Sequence, residues 1–598
     1  MTPASVTTEQ SQISRSEWVW LAGALLLGTI LRLSFPGRMA IEHFDEGVYA
    51  SNFWFDQEQG GEYPARFLYA PPLLPMVIEW TMIVAPLCGI RPTGFIPMVP
   101  CLLAGFATIP SMWWVGRRWF GPTAGIVSAW LVAASDFHSS YSRAALTDVP
   151  VCLFILWAVY FIRLAMLNGT RRDILLAGLF TGLAWWTKYN GWLPLAIGLA
   201  GEAARQLALP RAERRIATFS TRWLLVAGVS FVIWCPVLIG LQKHGGYTAV
   251  AANHRQYVVG LTGWGAAAAR QLTHVGLYDN WFGVPYEVLI ATVYERNAVA
   301  MVGPGGMEKS MFEPAHMLDH PTLSFIVSDA ERWGEISKFE SAALKNTTLP
   351  WTLVLAVPLL LLVISTVGCV CFLRSRDVVL DGRGWFVFAW ICGLSVATPF
   401  YLPYPRLILP WLIAVWLAVG MSIQMLASSG ILFGTSPASG NRKWNVQWPE
   451  VVFIGWLIVC TSIRCQIGSA HVWQDRAGLS RSVQSMATLI RDRSDEAIVY
   501  VFGEPSVFFA LKANGLPLVA PVQSLNFLAN PLPRPTFFIR TAHAFRSDGF
   551  AAEWREHQDN FEEVNEQGLP ESLLVQLDQQ LDFAKPQNDE SLIVYRVR

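Results

Sequence analysis

The chain has 598 residues, is 53% hydrophobic and only 15% charged, and carries 44 basic against 44 acidic side chains. Charge this sparse excludes a string of soluble domains, which average about 25% charged residues. A mean hydropathy of +0.36 points instead to a polytopic membrane protein. Zero net charge removes any compositional case for nucleic acid, and the same numbers exclude disorder.

Runs of about 20 apolar residues mark candidate membrane helices. In chain order they fall at Trp18–Leu33, Leu73–Ile90, Phe95–Val115, Ala124–Phe137, Val149–Leu167 and Ile174–Trp186. They continue at Trp192–Leu207, Trp223–Leu241, Trp351–Leu373, Gly384–Phe400, Leu407–Ala427 and Val451–Ile467. The first run follows a single basic residue, Arg15, and no small-residue cleavage site follows it, so it is expected to stay as an uncleaved span.

Basic residues in short connections set the orientation of such a chain. Arg117 and Arg118, Arg171 and Arg172, the group from Arg211 to Arg222, Arg374 to Arg383, and Arg442 with Lys443 lie in alternate connections. The intervening short connections hold only Arg143, Lys188 and Arg406. All the basic connections fall on the cytoplasmic side if Leu73–Ile90 lies along the outer interface rather than crossing. That segment opens on Pro71-Pro72 and contains Pro75, Glu79 and Pro86, a poor composition for a spanning helix. The expected architecture is therefore a polytopic α-helical membrane protein of about eleven spans plus one outer interfacial segment. Its N-terminus, residues 1–17, would be cytoplasmic and its C-terminus extracytoplasmic, in the cell membrane.

On this reading residues 18–468 form the membrane domain, with outer loops at 34–94 and 242–349. Residues 469–598 form an extracytoplasmic domain. The tail alternates strand-like runs (Ala497–Phe502, Thr536–Arg540, Ser591–Val597) with helical ones (Pro505–Ala513, Glu571–Phe583), which predicts a small α/β domain. From residue 470 it carries 12 basic and 17 acidic residues, so it is not built to grip anionic lipid. It is expected to recognise the acceptor or brace the outer loop. All nine cysteines lie in or beside apolar runs, without the spacing of a disulfide scaffold or a zinc site.

Ionisable residues at a membrane boundary are costly without a purpose. Four clusters fall on the expected outer face: Glu42-His43-Phe44-Asp45-Glu46, Arg143 to Thr147-Asp148, Thr187-Lys188-Tyr189, and Tyr401 to Tyr404-Pro405-Arg406. Each has a plainer reading. Asp45 and Glu46 suit a solvated acidic turn, Asp148 a helix cap, and Arg143, Lys188 and Arg406 snorkelling to headgroups. Together they offer carboxylates for a proton and cations for a phosphate in one compartment.

At these residues the chain resembles the GT-C glycosyltransferases, and most closely the protein O-mannosyltransferase and aminoarabinose transferase group. The resemblance rests on Asp45-Glu46 in the first outer loop and on Gly116-Arg117-Arg118-Trp119-Phe120-Gly121. It extends through Arg143–Pro150, Gly182–Tyr189 and Pro405–Pro410, and covers about residues 18–430 in order. The chain departs from the group at Ala70, before Pro71-Pro72, where Lys or His is common. The resemblance implies a polyprenyl-phosphate-sugar donor and an inverting transfer to the hydroxyl of a lipid, protein or envelope-polymer acceptor. Asp45 would be the general base, with Glu46 beside it raising one carboxyl by like-charge proximity. Arg406, Arg143 and Lys188 would hold the donor phosphate, and Asp148, His254 and Tyr404 would support them or meet the acceptor. Some branches of the superfamily resemble metal-dependent enzymes and others do not; if a divalent cation is used, Mg²⁺ or Mn²⁺ would have Asp45, Glu46 and Asp148 as its oxygen ligands. The alternatives are a transporter or flippase for a lipid-linked or anionic substrate, and an inactive scaffold. No repeated half of the kind common in transporters is visible in the sequence.

Overall fold

A computed structural model describes residues 12–279 (except 256, 262 and 263), 348–374, 382–401, 404–428 and 448–466. It also describes residues 471–575, with short breaks, and 591–598. Most of the expected outer loop at 242–349, the basic pair Arg442-Lys443 and nearly all of the expected helix Glu571–Phe583 lie outside the described residues.

Every expected apolar run is helical. The helices are α1 (Arg15–Leu33), α2 (Phe44–Gln59), α3 (Leu73–Val84), α4 (Val99–Phe120), α5 (Pro122–Ala134) and α6 (Asp136–Ser142). Then come α7 (Asp148–Asn168), α8 (Arg171–Thr187), α9 (Leu193–Ala208), α10 (Ile216–Leu241), α11 (Gly246–Arg255) and α12 (Trp264–Tyr278). The membrane domain closes with α13 (Thr348–Arg374), α14 (Arg383–Ala397), α15 (Leu409–Ser428) and α16 (Trp448–Gln466). Among the described residues, six helices are long and apolar enough to cross a membrane: Arg15–Leu33, Ile96–Phe120, Asp148–Asn168, Ile216–His244, Leu355–Leu373 and Pro405–Ser428. Shorter apolar helices lie at Leu73–Cys88, Pro122–Ala134 and Val451–Ile463. At about 1.5 Å per residue, α3 covers only about 18 Å, well short of a hydrocarbon core of about 30 Å.

α15 organises the bundle. Leu409 through Ile423 are all buried, as expected of a helix apolar on every side, and α15 packs against α5, α13 and α14. α7 and α8 form an antiparallel pair turned at Gly169, which adopts φ 66°. About 30 Å of α7 and about 25 Å of α8 bring the chain back to where it started, so Lys188 returns beside Asp148. That juxtaposition follows from helix length alone.

Within the segment expected as the first outer loop, residues 44–59 make the 16-residue helix α2. Its start is a capping box: His43 accepts from the Asp45 N–H at 3.1 Å, and Glu46 accepts from the His43 N–H at 3.0 Å.

The tail is the expected small α/β domain. Helices α17 (Gly478–Arg493), α18 (Pro505–Ala513) and α19 (Asp548–His557) accompany strands β1 (Ile498–Phe502), β2 (Val519–Val522), β3 (Thr536–Arg540), β4 (Phe561–Gly568) and β5 (Ser591–Val597). The strand order is β2-β1-β3-β5-β4. β2, β1 and β3 run parallel, while β5 is antiparallel to both β3 and β4. Val499, Val501 and Phe537 face the apolar sides of α17 and α18, and Phe502, Phe538 and Tyr595 face Phe550 and Trp554 of α19.

Candidate active site

Asp45 stands in the first turn of α2, and Arg406 stands in the 3-10 turn Pro405–Ile408 that leads into α15. Their side chains meet at 2.7 Å, both largely but not wholly buried. The guanidinium also lies over the Tyr404 ring, 5.5 Å from its centroid. A second pair, Asp148 with Lys188, sits at the start of α7 and the end of α8. Asp148 is buried, and its Oδ2 has no hydrogen-bond partner among the described residues.

One hydroxyl places the two pairs in a single neighbourhood. Tyr49, one helical turn beyond Asp45 on α2, is buried. Burial raises its phenol well above the usual value, the charge of Asp45 adds to this, Arg406 opposes it, and Asp148 adds again. His254, at the end of α11, borders the same place. Its Nδ1 lies 2.7 Å from the Tyr401 hydroxyl. Burial first, and then the positive charge of Lys188, lowers this imidazole below its usual value, while Asp45 pulls the other way. Tyr257 packs between Tyr401 and Tyr404, with centroids 5.8 and 6.1 Å away, and the Val258–Tyr401 bridge joins these segments. The result is a carboxylate–guanidinium pair with an aromatic wall on one side and an acid–lysine pair on another.

Two expected site residues are placed elsewhere. Glu46 is fully buried, and both of its oxygens are occupied: Oε1 accepts from the Ala145 N–H at 2.7 Å, and Oε2 accepts from His43 and from Arg476. It does not form an acidic pair with Asp45, because successive residues on a helix point about 100° apart. Arg143 is also buried. It donates to the carbonyl oxygens of Arg32 at 3.1 Å and Phe35 at 3.3 Å, and to that of Ser34 as well. Its guanidinium satisfies the end of α1.

The expected cation ligands also fail to converge. Asp45, Glu46 and Asp148 are each committed to a different cation, Arg406, Arg476 and Lys188. Among the described residues no group of three His, Cys, Asp or Glu side chains is arranged to hold a metal. These residues do not fit Mg²⁺ or Mn²⁺ as a shared ligand set, and no step below runs through one.

Residues that the sequence alone did not single out complete the surroundings. Arg476 comes from the start of the tail and touches Glu46, and its Nε lies 3.5 Å from Glu42. Burial raises the Glu42 carboxyl to about 7 against the opposing charge of Arg476. Glu42 stood inside a cluster already noted, but nothing in the local pattern around Arg476 points to a partner 430 positions away.

With the geometry described, known proteins can be compared. Residues 71–239 match the family model described as dolichyl-phosphate-mannose-protein mannosyltransferase, a stretch that contains Asp148 and Lys188. None of the curated proteins matches significantly. Among solved structures, ArnT from Cupriavidus metallidurans bound to undecaprenyl phosphate is similar over 97% of this chain and 98% of its own, at 13% identity and a TM-score of 0.50. The apo oligosaccharyltransferase of Archaeoglobus fulgidus is similar over 93% of this chain and 74% of its own, at 11% identity and a TM-score of 0.51. At such identities the likeness is one of fold, and it runs through the helical domain and the tail together. The family match over residues 71–239 lies inside that shared fold, so sequence and structure point to the same group that the motifs resemble.

Proposed function

We propose that this chain is a membrane glycosyltransferase that moves a sugar from a polyprenyl-phosphate-linked donor to an acceptor hydroxyl at the outer face of the membrane, with inversion. The Asp45–Arg406 contact carries this reading: it holds a proton acceptor and a phosphate-binding cation side by side. The undecaprenyl phosphate bound to the Cupriavidus neighbour supports the donor class.

In the proposed step the acceptor oxygen attacks the anomeric carbon as the bond from that carbon to the phosphate oxygen breaks. The bonding electrons leave with polyprenyl phosphate, and Asp45 takes the acceptor proton. Without donor, Arg406 neutralises Asp45. An arriving phosphate draws the guanidinium toward itself and frees the carboxylate to act as base. Charge then builds on the leaving phosphate, where Arg406 stabilises it in a water-poor site, the setting in which such donors matter most. A phosphate leaving group needs little protonation, so no acid is required. Lys188 lends positive charge from its place beside Asp148, while Tyr404 and His254 shape the wall that meets sugar or acceptor.

The test follows release of free polyprenyl phosphate from a panel of radiolabelled donors, using protein in lipid nanodiscs. Asp45→Asn is expected to lower kcat by about 10²–10⁴, and Arg406→Gln by about 10²–10³, with donor still bound by Asp45→Asn. Full turnover by Asp45→Asn would overturn the assignment of the base. Donor flux across the bilayer without turnover would favour a transporter.

A further inference from the structure

Among the tail residues buried against the helical domain is a cation, Arg476, which lies between α16 and α17 in the chain. Its Nη2 donates to Glu46, and its Nη1 donates to the Arg143 carbonyl oxygen at 2.9 Å. Its own N–H donates to the Arg38 carbonyl at 2.9 Å. One planar guanidinium thus grips two segments at once: the first turn of α2, which carries Asp45, and the turn 143–147, which leads into Asp148. Glu46 completes the link by accepting from the Ala145 N–H of that same turn. A fork of fixed shape is suited to this, since it sets angle as well as distance.

The rest of the tail reinforces the grip from behind α2. Both oxygens of Glu42 accept from Ser572 of the tail, at 3.0 Å from its N–H and 2.7 Å from its hydroxyl. α18 lies directly on α2, where a Cβ on Gly47 would come within 2.3 Å of the Ser506 nitrogen. Gly47 is two residues past Asp45, so the two project roughly 200° apart around the helix. The tail therefore closes on the face of α2 opposite Asp45.

We propose that Arg476 is a positioning residue of the transfer reaction: by clamping Glu46 and the 143–147 turn together, it fixes where Asp45 and Asp148 stand, and so makes the tail part of the site. This rests on the reading of Asp45 as base. A displacement of about 1 Å in such a group costs about 10² in rate, and donor binding through Arg406 does not depend on the clamp.

The test measures kcat and donor KM in the full chain for Arg476→Lys, Arg476→Met and the double variant Arg476→Met with Glu46→Gln, beside Asp45→Asn. The double variant removes both buried charges, so it folds even where the single Met variant does not. We expect the folded Met variants to lose at least tenfold in kcat with KM within threefold. Arg476→Lys, which keeps the charge but lacks the fork, should fall between them and wild type. Folded variants with kcat within twofold of wild type overturn the proposal, and so do parallel losses in kcat and donor binding. If Asp45→Asn keeps full kcat, the reading of the base fails first, and the clamp then has no base to position. Loss of activity in Asp45→Asn with unaffected Arg476 variants sinks the clamp alone.

Discussion

Glu42 offers the sharpest quantitative test of how the tail is held. It lies outside the apolar helices, buried between Ser572 and Arg476, with the Glu46 charge nearby. Arg476 places its close contact on Glu46 and reaches Glu42 only at 3.5 Å, so burial prevails and raises the carboxyl from 4.5 to about 7. A folded-state pKa raised above the unfolded value means the native protein holds the proton more tightly. Stability from this group is fully present below pH 4.5 and is lost as pH rises through 7. A difference of about 2.5 in pKa, at about 1.4 kcal/mol each, amounts to about 3 kcal/mol. Gln mimics the protonated carboxyl and does not titrate. Glu42→Gln should therefore match wild type to within about 1 kcal/mol at pH 5 and exceed it by about 3 kcal/mol at pH 8. Denaturant unfolding followed by tryptophan fluorescence in nanodiscs, across pH 5 to 8, reads this difference and cancels the titration of every other group. A variant weaker than wild type by the same amount at every pH would refute the reasoning. So would a wild type that gains on the variant toward pH 8, since Glu42 would then be an ion held by Arg476.

Two further tests address the other contacts. Lys188→Met leaves Asp148 buried with no counter-charge, which should cost about 3–5 kcal/mol. Adding Asp148→Asn should recover most of that in a double-mutant cycle, and strict additivity would show that the pair is not coupled. Gly47→Ala pushes a methyl into the backbone at Ser506 and should cost about 1–3 kcal/mol or more, visible as faster protease release of the tail. Gly37→Ala, with nothing within 4 Å of its Cβ, serves as the control and should be unaffected.

Much of this protein is written in local pattern. Apolar runs of helical length mark most helices of the bundle, though not α2 or α12, because a bilayer demands continuous hydrophobic stretches wherever they lie in the chain. In the tail, Thr536–Arg540, Ser591–Val597 and Pro505–Ala513 form as their composition predicts, since short alternating and capped segments carry their own signal. β2 and β4 escaped notice: one has a central proline and the other is rich in Glu, Asn and Gln, and their pairing with β1 and β5 supplies what their sequences lack. The meeting of Lys188 with Asp148 was implicit too, in two helices of similar length joined by a glycine turn. The parting of Asp45 from Glu46 was not, because adjacent carboxylates read as a pair until the helix that turns them apart is known. Arg143 looked like a phosphate ligand, yet its partners are backbone carbonyls that no sequence pattern reveals. Asp45 with Arg406, and Glu46 with Arg476, are joined across hundreds of residues by the way α15 threads the bundle and the tail closes behind α2. Residue types and periodicity determined which elements form; only the tertiary packing, which alone sets distances between remote segments, decided which charge faces which.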